Sequence, residues 1–216
     1  MIPTLTHVPF CARLGEQERE PPMFLKTIAA DEATGEVADI YRGEVASIGL
    51  LMAATQCWTA RPDMLPIFEH FFGAVKANFS LGTRNWRLIT FIAAKQVPST
   101  YCTHVYARLL LADLGSKAMV LAVQRDFRTA GLDVKAVAML AYAEQIARDA
   151  SKITQKDIDA LRALAFSDVE IADIALCASL RCFMSRYFDA VGAMPEPTFL
   201  DEDPKFRATM TVGKPT

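Results

Sequence analysis

Residues 84–106 read RNWRLITFIAAKQVPSTYCTHVY and are the most informative segment of the sequence. Its first part has the apolar spacing of a helix, which we place at about residues 84–96. Pro98 ends that helix, because proline disfavours helical backbone at the residue before it. A second helix follows and runs to about Leu114. The stretch therefore predicts two helices joined by a tight turn, with Cys102 in the first turn of the second helix.

Apolar residues recur with helical spacing along the rest of the chain. One such stripe consists of Phe68, Phe71, Phe72, Val75 and Phe79. The motif Ser167-Asp168-Val169-Glu170 fits a capping box, and it opens a long helix that Gly192 ends. Further helices are expected at about residues 32–47, 116–130, 134–149 and 154–165. Because no stretch alternates apolar and polar residues for long enough to form a strand, we expect an all-α bundle of seven or eight helices.

The chain divides into a helical domain and two proline-rich ends. Residues 29–192 hold all of the predicted helices. Residues 1–28 contain four prolines, and we expect them to form an extended arm. Residues 193–216 contain four more, and we expect them to form an irregular tail that wraps a neighbour.

The composition excludes several classes of protein. With 216 residues, 52% of them hydrophobic and 22% charged, the chain has the length of one domain and is not disordered. Its net charge of −2 argues against nucleic acid or an anionic membrane as partner, because both select basic surfaces. The longest uncharged run, residues 45–60, is too short and too polar to span a membrane. Five cysteines without a secretory signal pattern favour free thiols in the cytoplasm.

One helix carries more apolar surface than a small bundle needs. Residues 171–184 are apolar on nearly every side and are interrupted only by Asp173, Ser179 and Arg181. Such a helix is buried in its own domain or in a subunit interface. Together with the stripe at 68–79, it predicts a homo-oligomer.

The sequence lacks the common metal and cofactor motifs. Its three histidines are scattered, with no pair at i, i+4, and there is no CxxC. The nucleotide-binding patterns GxGxxG and GxxxxGKS/T and the hydrolase pattern GxSxG are absent as well. We therefore expect neither a metal nor a cofactor.

Cys102 is the leading candidate for chemistry. The partial positive charge at the N-terminus of its predicted helix stabilises a thiolate. Tyr106, four residues on, shares its face, whereas His104 points nearly the opposite way. The alternative is that Cys102 packs as an inert residue, as most free cysteines do. Tyr101, Tyr106 and His104 have the same alternative role in packing.

Four segments carry a resemblance to a known family. The frame Ser99-Thr100-Tyr101-Cys102 matches its C-x-Y-C motif, with serine in place of the first cysteine. The segments Glu36–Tyr41 (EVADIY), Phe166–Ile174 (FSDVEIADI) and Arg186–Gly192 (RYFDAVG) match its first helix, its Phe-Ser-Asp-x-Glu-Ile element and its closing helix. On these segments, residues 28–192 resemble the alkylhydroperoxidase-D-like / carboxymuconolactone decarboxylase superfamily, especially its longer peroxidase-related members.

The resemblance implies an AhpD-like helical bundle that assembles into dimers, trimers or hexamers without metal or haem. In the family's peroxidases one cysteine attacks the peroxide, a second resolves it as a disulfide, and a glutamate and a histidine relay the proton. Position by position, only the attacking cysteine remains here, as Cys102. Ser99 replaces the resolving cysteine, Arg87 the glutamate and Tyr106 the histidine. Serine cannot close a disulfide and arginine cannot accept a proton.

The substituted set favours acid–base chemistry on a small organic anion, as in a lyase, decarboxylase or isomerase. Some branches of the family do such chemistry on ring-cleavage products of aromatic compounds. We expect Arg87 to bind a carboxylate, Tyr106 with Tyr101 to polarise or protonate the substrate, and Cys102 to line the pocket. The further expected substrate-binding residues are Ser99, Thr103 and His104. Two alternatives stay open: a one-cysteine thiol hydroperoxidase using Cys102, and a non-catalytic member of the family.

We predict that the protein does not form the family's active-site disulfide and is a poor hydroperoxidase. The position of the family's resolving cysteine is occupied by Ser99, so a sulfenic acid at Cys102 has no thiol there with which to form a disulfide. Fast alkylation of Cys102, read by peptide mass spectrometry, should accompany slow thiol-dependent consumption of hydrogen peroxide. An intramolecular disulfide involving Cys102, with turnover of about 1 per second or faster, would contradict this prediction.

Overall fold

The computed structural model describes residues 23–216, and this part of the chain is an all-α bundle without a strand, as predicted. Its ten α-helices are α1 Gly35–Ile48, α2 Ala53–Gln56, α3 Leu65–Ala77, α4 Gly82–Gln96, α5 Thr100–Leu114, α6 Lys117–Asp126, α7 Val134–Asp149, α8 Gln155–Ala163, α9 Asp168–Val191 and α10 Pro204–Met210. Seven or eight were expected, because α2 and α10 are too short to show a periodic pattern. Residues 1–22 of the expected N-terminal arm lie outside the described residues.

The long helices begin and end at the residues that the sequence marks. At the start of α9, the Ser167 hydroxyl accepts from the Glu170 N–H at 3.2 Å, and the Glu170 carboxylate accepts from the Ser167 N–H at 2.7 Å. Gly192 ends this helix in the left-handed region, with φ +84°. Gly115 ends α5 in the same way, with φ +77°. The capping box and both glycine stops are therefore confirmed.

Helix α4 lies at the centre of the bundle and packs against α5, α7 and α9. Its Leu88, Ile89 and Phe91 are fully buried. Because α4 is surrounded, it fixes the helices on either side of it. Helices α5 and α9 also contact each other, and this contact places Cys102 of α5 beside Arg181 of α9.

An aromatic stack joins α3 to α9. Trp58 lies between Phe68 and Tyr187, with 4.1 Å between ring centroids on each side. Phe68 is in turn 5.7 Å from Phe72, with the two ring planes within 12° of parallel. The predicted apolar stripe of α3 thus packs inward through Phe68 and Phe72, whereas Phe71 is exposed.

The C-terminal segment, expected to be an irregular tail, contains a 3-10 turn at Pro197–Phe199 and the helix α10. The Asp203 carboxylate caps α10 by accepting from the N–H groups of Lys205 and Phe206. Phe206 and Met210 are buried, and α10 packs against α5 and α6. The tail therefore folds back on its own chain at this helix.

Polar side chains of α5 fasten that segment. The Thr103 hydroxyl donates to the Met210 carbonyl at 2.5 Å, and His104 Nε2 lies 3.1 Å from the Thr211 hydroxyl. His104 is 1% exposed. Burial, with a smaller effect of the Arg207 charge, lowers the pKa of His104 to about 4. In the folded protein, with α10 docked against α5, the His104 imidazole is therefore neutral at neutral pH.

We predict that the protein loses stability as the pH falls from about 6.5 to about 4. Below pH 6.5 the unfolded state binds a proton at His104, whereas the folded state does so only near pH 4. The free energy of unfolding therefore rises with pH across this window, and the contribution of His104 is complete above it. Urea unfolding at a series of pH values measures the slope.

The matched variants are His104→Gln and His70→Gln, since His70 is exposed on α3. His104→Gln should flatten the slope between pH 4 and 6.5, and His70→Gln should leave it unchanged. Equal slopes for the wild type and His104→Gln would show that the neutral buried imidazole is not the cause.

Candidate functional site

A cavity of about 700 Å³ opens among α1, α3, α4, α5 and α9. Its volume lies in the range of small-molecule sites. The four residues predicted to be catalytic all line it: Arg87, Tyr101, Cys102 and Tyr106. Most of the other lining residues are apolar or aromatic. The structure therefore brings the predicted catalytic set to one pocket of a size that suits a small organic molecule.

Cys102 lies in the first turn of α5, and its side chain is almost completely buried. Arg181 Nη1 donates to its sulfur at 3.4 Å, and the Ser185 hydroxyl donates at 3.3 Å. Both donors come from α9, one turn apart. A guanidinium and a hydroxyl that donate to the same sulfur stabilise negative charge on it.

Arg181 is 4% exposed and lines the cavity. Its Nη2 donates to the Tyr106 hydroxyl oxygen at 2.9 Å, and its guanidinium lies 4.8 Å from the centre of that ring. Burial alone would lower the pKa of Arg181, but Tyr106 and Cys102 together raise it above its ordinary value, so the group is charged. Among residues 23–216 no carboxylate lies within 4.0 Å of it, and its Nε has no hydrogen-bond partner.

Arg87, the predicted carboxylate ligand, is engaged elsewhere. Its Nη1 donates to the Asp113 carboxylate at 2.9 Å, and both side chains are only partly buried. The pair leaves Arg87 on the cavity wall with its charge already neutralised. Arg181 is thus the better anion ligand, and the sequence contained one sign of it: a charged residue in an otherwise apolar helix.

The two tyrosines of the site have different surroundings. The Tyr101 hydroxyl accepts from the Ala54 N–H at 3.1 Å and donates to the Glu196 carboxylate at 3.1 Å. Burial, and then the Glu196 charge, raise the pKa of Tyr101 well above its usual value. Its proton is therefore held by Glu196. The Tyr106 hydroxyl oxygen accepts from Arg181 Nη2 at 2.9 Å, and the residue lines the cavity.

The three residues expected to bind substrate do not line the cavity. All three are buried, Ser99 just before α5 and Thr103 and His104 on other faces of that helix. Thr103 and His104 contact the C-terminal segment instead, as described above. For Thr103 and His104 the physical reason is helical geometry, because the face of α5 that carries Cys102 and Tyr106 is the one that meets the pocket. Ser99 is the N-cap residue, just outside α5, and is completely buried.

Two carboxyl groups line the cavity from α1 and α3. The Glu44 carboxylate accepts from the Met52 N–H at 3.0 Å and from the Thr55 hydroxyl at 2.7 Å. The Glu69 carboxylate forms no hydrogen bond and no ion pair in the described part of the chain, although the more distant Lys76 charge acts on it. Burial raises the pKa of both, and the Glu44 charge raises that of Glu69 further. A carboxyl group of this kind exchanges a proton nearer neutral pH than an exposed one does. Sequence reasoning missed both, since neither belongs to a motif.

The remaining described cysteines are buried free thiols: Cys57, Cys177 and Cys182. Burial is the main cause that raises the pKa of each, to about 12 for Cys177. Cys102 is the cysteine whose sulfur both lines the cavity and accepts from a guanidinium. Across residues 23–216 no three His, Cys, Asp or Glu side chains gather in a way that could hold a metal ion.

Solved structures of other proteins share the fold of this chain. No family model and no curated protein matches its sequence. A peroxidase-related protein of Ralstonia eutropha JMP134, described as an alkylhydroperoxidase AhpD core, is 17% identical with a TM-score of 0.74, over 90% of this chain and 100% of that one. A peroxidase-related protein of Silicibacter sp. TM1040 is 19% identical with a TM-score of 0.76, over 86% and 97% of the two chains.

A third similar structure is an enzyme. The debrominase Bmp8 is 19% identical, with a TM-score of 0.69 over 85% of this chain and 95% of that one. A variant of Bmp8 is also known in complex with 2,3,4-tribromopyrrole. At these identities the likenesses establish the fold, and the chemistry has to be inferred from the residues of the site.

We predict that Arg181→Met slows the alkylation of Cys102 by iodoacetamide at pH 7 by about tenfold or more. Loss of a hydrogen bond from a charged group removes about 1.5–3 kcal/mol of stabilisation from the sulfur anion. Arg87→Met is the matched control, because Arg87 lines the same cavity but contacts Asp113. Peptide mass spectrometry separates Cys102 from the other thiols. Equal rates in all three proteins would show that Arg181 does not act on the sulfur.

Proposed function

We propose that this protein, which has the alkylhydroperoxidase-D-like helical fold, is an enzyme that performs acid–base chemistry on a small organic anion, as a lyase, decarboxylase or isomerase. The observation that carries the proposal is the Arg181 guanidinium, buried at the cavity without a carboxylate partner in residues 23–216. A buried cation without a counterion is costly, and a bound carboxylate or enolate removes that cost. Arg181 takes the role that the sequence assigned to Arg87.

Tyr106 is the proton donor in this proposal. Its hydroxyl oxygen accepts from Arg181 Nη2 at 2.9 Å, which leaves the O–H for an oxygen of the ligand. The adjacent cation stabilises negative charge that develops at this point. Tyr101 shapes the wall with its ring, because its hydroxyl is held by Glu196. The predicted role of Tyr101 in protonation is therefore given to Tyr106 alone.

Glu69 supplies a base for the same chemistry. Its carboxylate has no partner among the described residues and lines the cavity with Tyr106. In an isomerisation, Glu69 takes the proton from a carbon beside a carbonyl, and Tyr106 donates to the carbonyl oxygen as the enolate forms. Return of the proton to a different carbon completes the reaction. In a decarboxylation, the electrons of the broken C–C bond form an enolate as carbon dioxide leaves, and a proton from the Glu69 carboxyl group then takes its place on that carbon.

A one-cysteine thiol hydroperoxidase is the second candidate. The two hydrogen bonds donated to Cys102 Sγ favour it, because they stabilise the thiolate that such an enzyme needs. The thiolate would attack one peroxide oxygen and form an S–O bond as the O–O bond breaks. Cys102 then carries a sulfenic acid, and the other peroxide oxygen takes a proton and leaves as water or an alcohol. An external thiol would then reduce the sulfenic acid.

A homo-oligomer in the cytoplasm stays a prediction. Within residues 23–216, no helix has the length and apolarity needed to cross a membrane. Leu176 and Phe183 of α9 are 42% and 52% exposed, so the apolar helix is not fully covered by its own chain. Ile67 and Phe71 of α3 are also exposed. These side chains support an interface between subunits.

A panel of keto acids and unsaturated lactone carboxylates, followed by mass spectrometry, tests the proposed function. We predict turnover of at least one compound, with losses of about 100-fold or more in Arg181→Met and Tyr106→Phe. Cys102→Ser should retain turnover, because the sulfur takes no part in the proton transfers. Peroxide consumption that disappears in Cys102→Ser, without turnover of the panel, would instead establish the hydroperoxidase. Absence of both activities in the folded protein would support a non-catalytic role.

A further inference from the structure

We infer that the ligand of this cavity is a planar aromatic anion, which places its charge at Arg181 and its ring against the wall formed by Phe68, Phe72 and Trp86. The inference rests on the proposed function, since it takes the anion site at Arg181 as given. It adds the class of the molecule: the keto acid of the proposed chemistry carries a flat aromatic ring rather than an aliphatic group. Two sets of observations carry it, the arrangement of the rings and the arrangement of the charged side chains around the cavity.

The three rings form a continuous surface from α3 to α4. Phe68 and Phe72 are nearly parallel, with centroids 5.7 Å apart and planes within 12°. Trp86 meets Phe72 edge-on, at 6.0 Å and 63°. All three residues line the cavity. The wall thus offers both a ring face and a ring edge, which are the two arrangements that aromatic molecules prefer.

Phe72 is the ring of this wall with surface left for a ligand. One neighbour, Phe68, is buried and stacks with Trp58 at 4.1 Å. Trp86 is 3% exposed. Phe72 is only half-buried, and it lies between the two. A flat ring placed on Phe72 gains stacking contacts that a puckered saturated ring cannot make as closely.

The charged end of the ligand is set by Arg181, which lines the same cavity as the three rings. Arg181 and Trp86 come from α9 and α4, two helices that pack against each other. A carboxylate attached to an aromatic ring brings acceptor oxygens and a stacking face together in one rigid molecule. Such a ligand contacts the guanidinium and the aromatic wall at once.

The other positive side chains of the cavity are less suited to hold the charge. Arg87 is paired with Asp113, and Lys76 and Arg108 are exposed to solvent. Glu69 and Glu44 repel an anion from the wall of α1 and α3. The charge of the ligand is therefore directed to Arg181.

Isothermal titration calorimetry with three probes tests the inference: benzoate, cyclohexanecarboxylate and benzamide. Benzoate and cyclohexanecarboxylate share charge and size but differ in planarity, and benzamide is flat but neutral. We expect benzoate to bind about 3- to 10-fold more tightly than cyclohexanecarboxylate, the range of an aromatic contact. Benzamide should bind about tenfold more weakly than benzoate, because it lacks the charge.

Matched variants separate the two parts of the site. Phe72→Leu should abolish the preference for benzoate over cyclohexanecarboxylate. Phe71→Leu, the same change at the preceding residue of α3, should keep it, since Phe71 is exposed and does not line the cavity. Arg181→Met should weaken both carboxylates and leave benzamide unchanged. Circular dichroism confirms that each variant is folded.

The outcomes distinguish this inference from the proposed function. Equal binding of the two carboxylates, lost in Arg181→Met, would overturn the aromatic class and leave the anion site standing. A preference for benzoate that survives in Phe72→Leu would also overturn it. A titration with up to about 10 mM ligand detects binding with a Kd near 1 mM. If neither carboxylate binds under these conditions, the anion site is refuted and the proposed function with it.

Discussion

The buried guanidinium of Arg181 is the constraint on which the rest of the site depends. It joins α9 to α5 through the Cys102 sulfur and the Tyr106 hydroxyl, neither of which is an obligatory anion. The charge is therefore held in a low-dielectric setting by groups that compensate it only in part. A bound anion, or the Cys102 thiolate, would compensate the Arg181 charge fully. Both candidate functions follow from this single incomplete charge balance.

Helix α5 serves two purposes through two of its faces. Cys102 and Tyr106 face the cavity, whereas Thr103 and His104 hold the segment that contains α10. The docked segment packs against α5, the helix whose first turn positions the sulfur. Fixed positions on α5 are useful to a catalytic site, because acid–base and nucleophilic chemistry both depend on alignment.

Much of the fold could be predicted from the sequence, because long helices have periodic apolar faces and marked ends. The eight longer helices, the capping box at Ser167 and the stops at Gly115 and Gly192 are all present. Helix α10 was missed, since seven residues show no clear period. Helical spacing also predicts that Cys102 and Tyr106 share one face of α5, and both line the cavity. Arg181 was noticed only as an interruption in an apolar helix, because the pairing of distant residues is not visible in local patterns.

If an anionic ligand completes the charge balance at Arg181, a crystal structure with bound 4-bromobenzoate will show it. The anomalous signal of bromine fixes the orientation of the ring without reference to any other density. We predict the carboxylate within about 3 Å of the Arg181 guanidinium, at hydrogen-bond distance, and the bromophenyl ring against Phe72. A carboxylate bound at Arg87 or Arg108, with the Arg181 guanidinium still contacting only Cys102 and Tyr106, would contradict the claim.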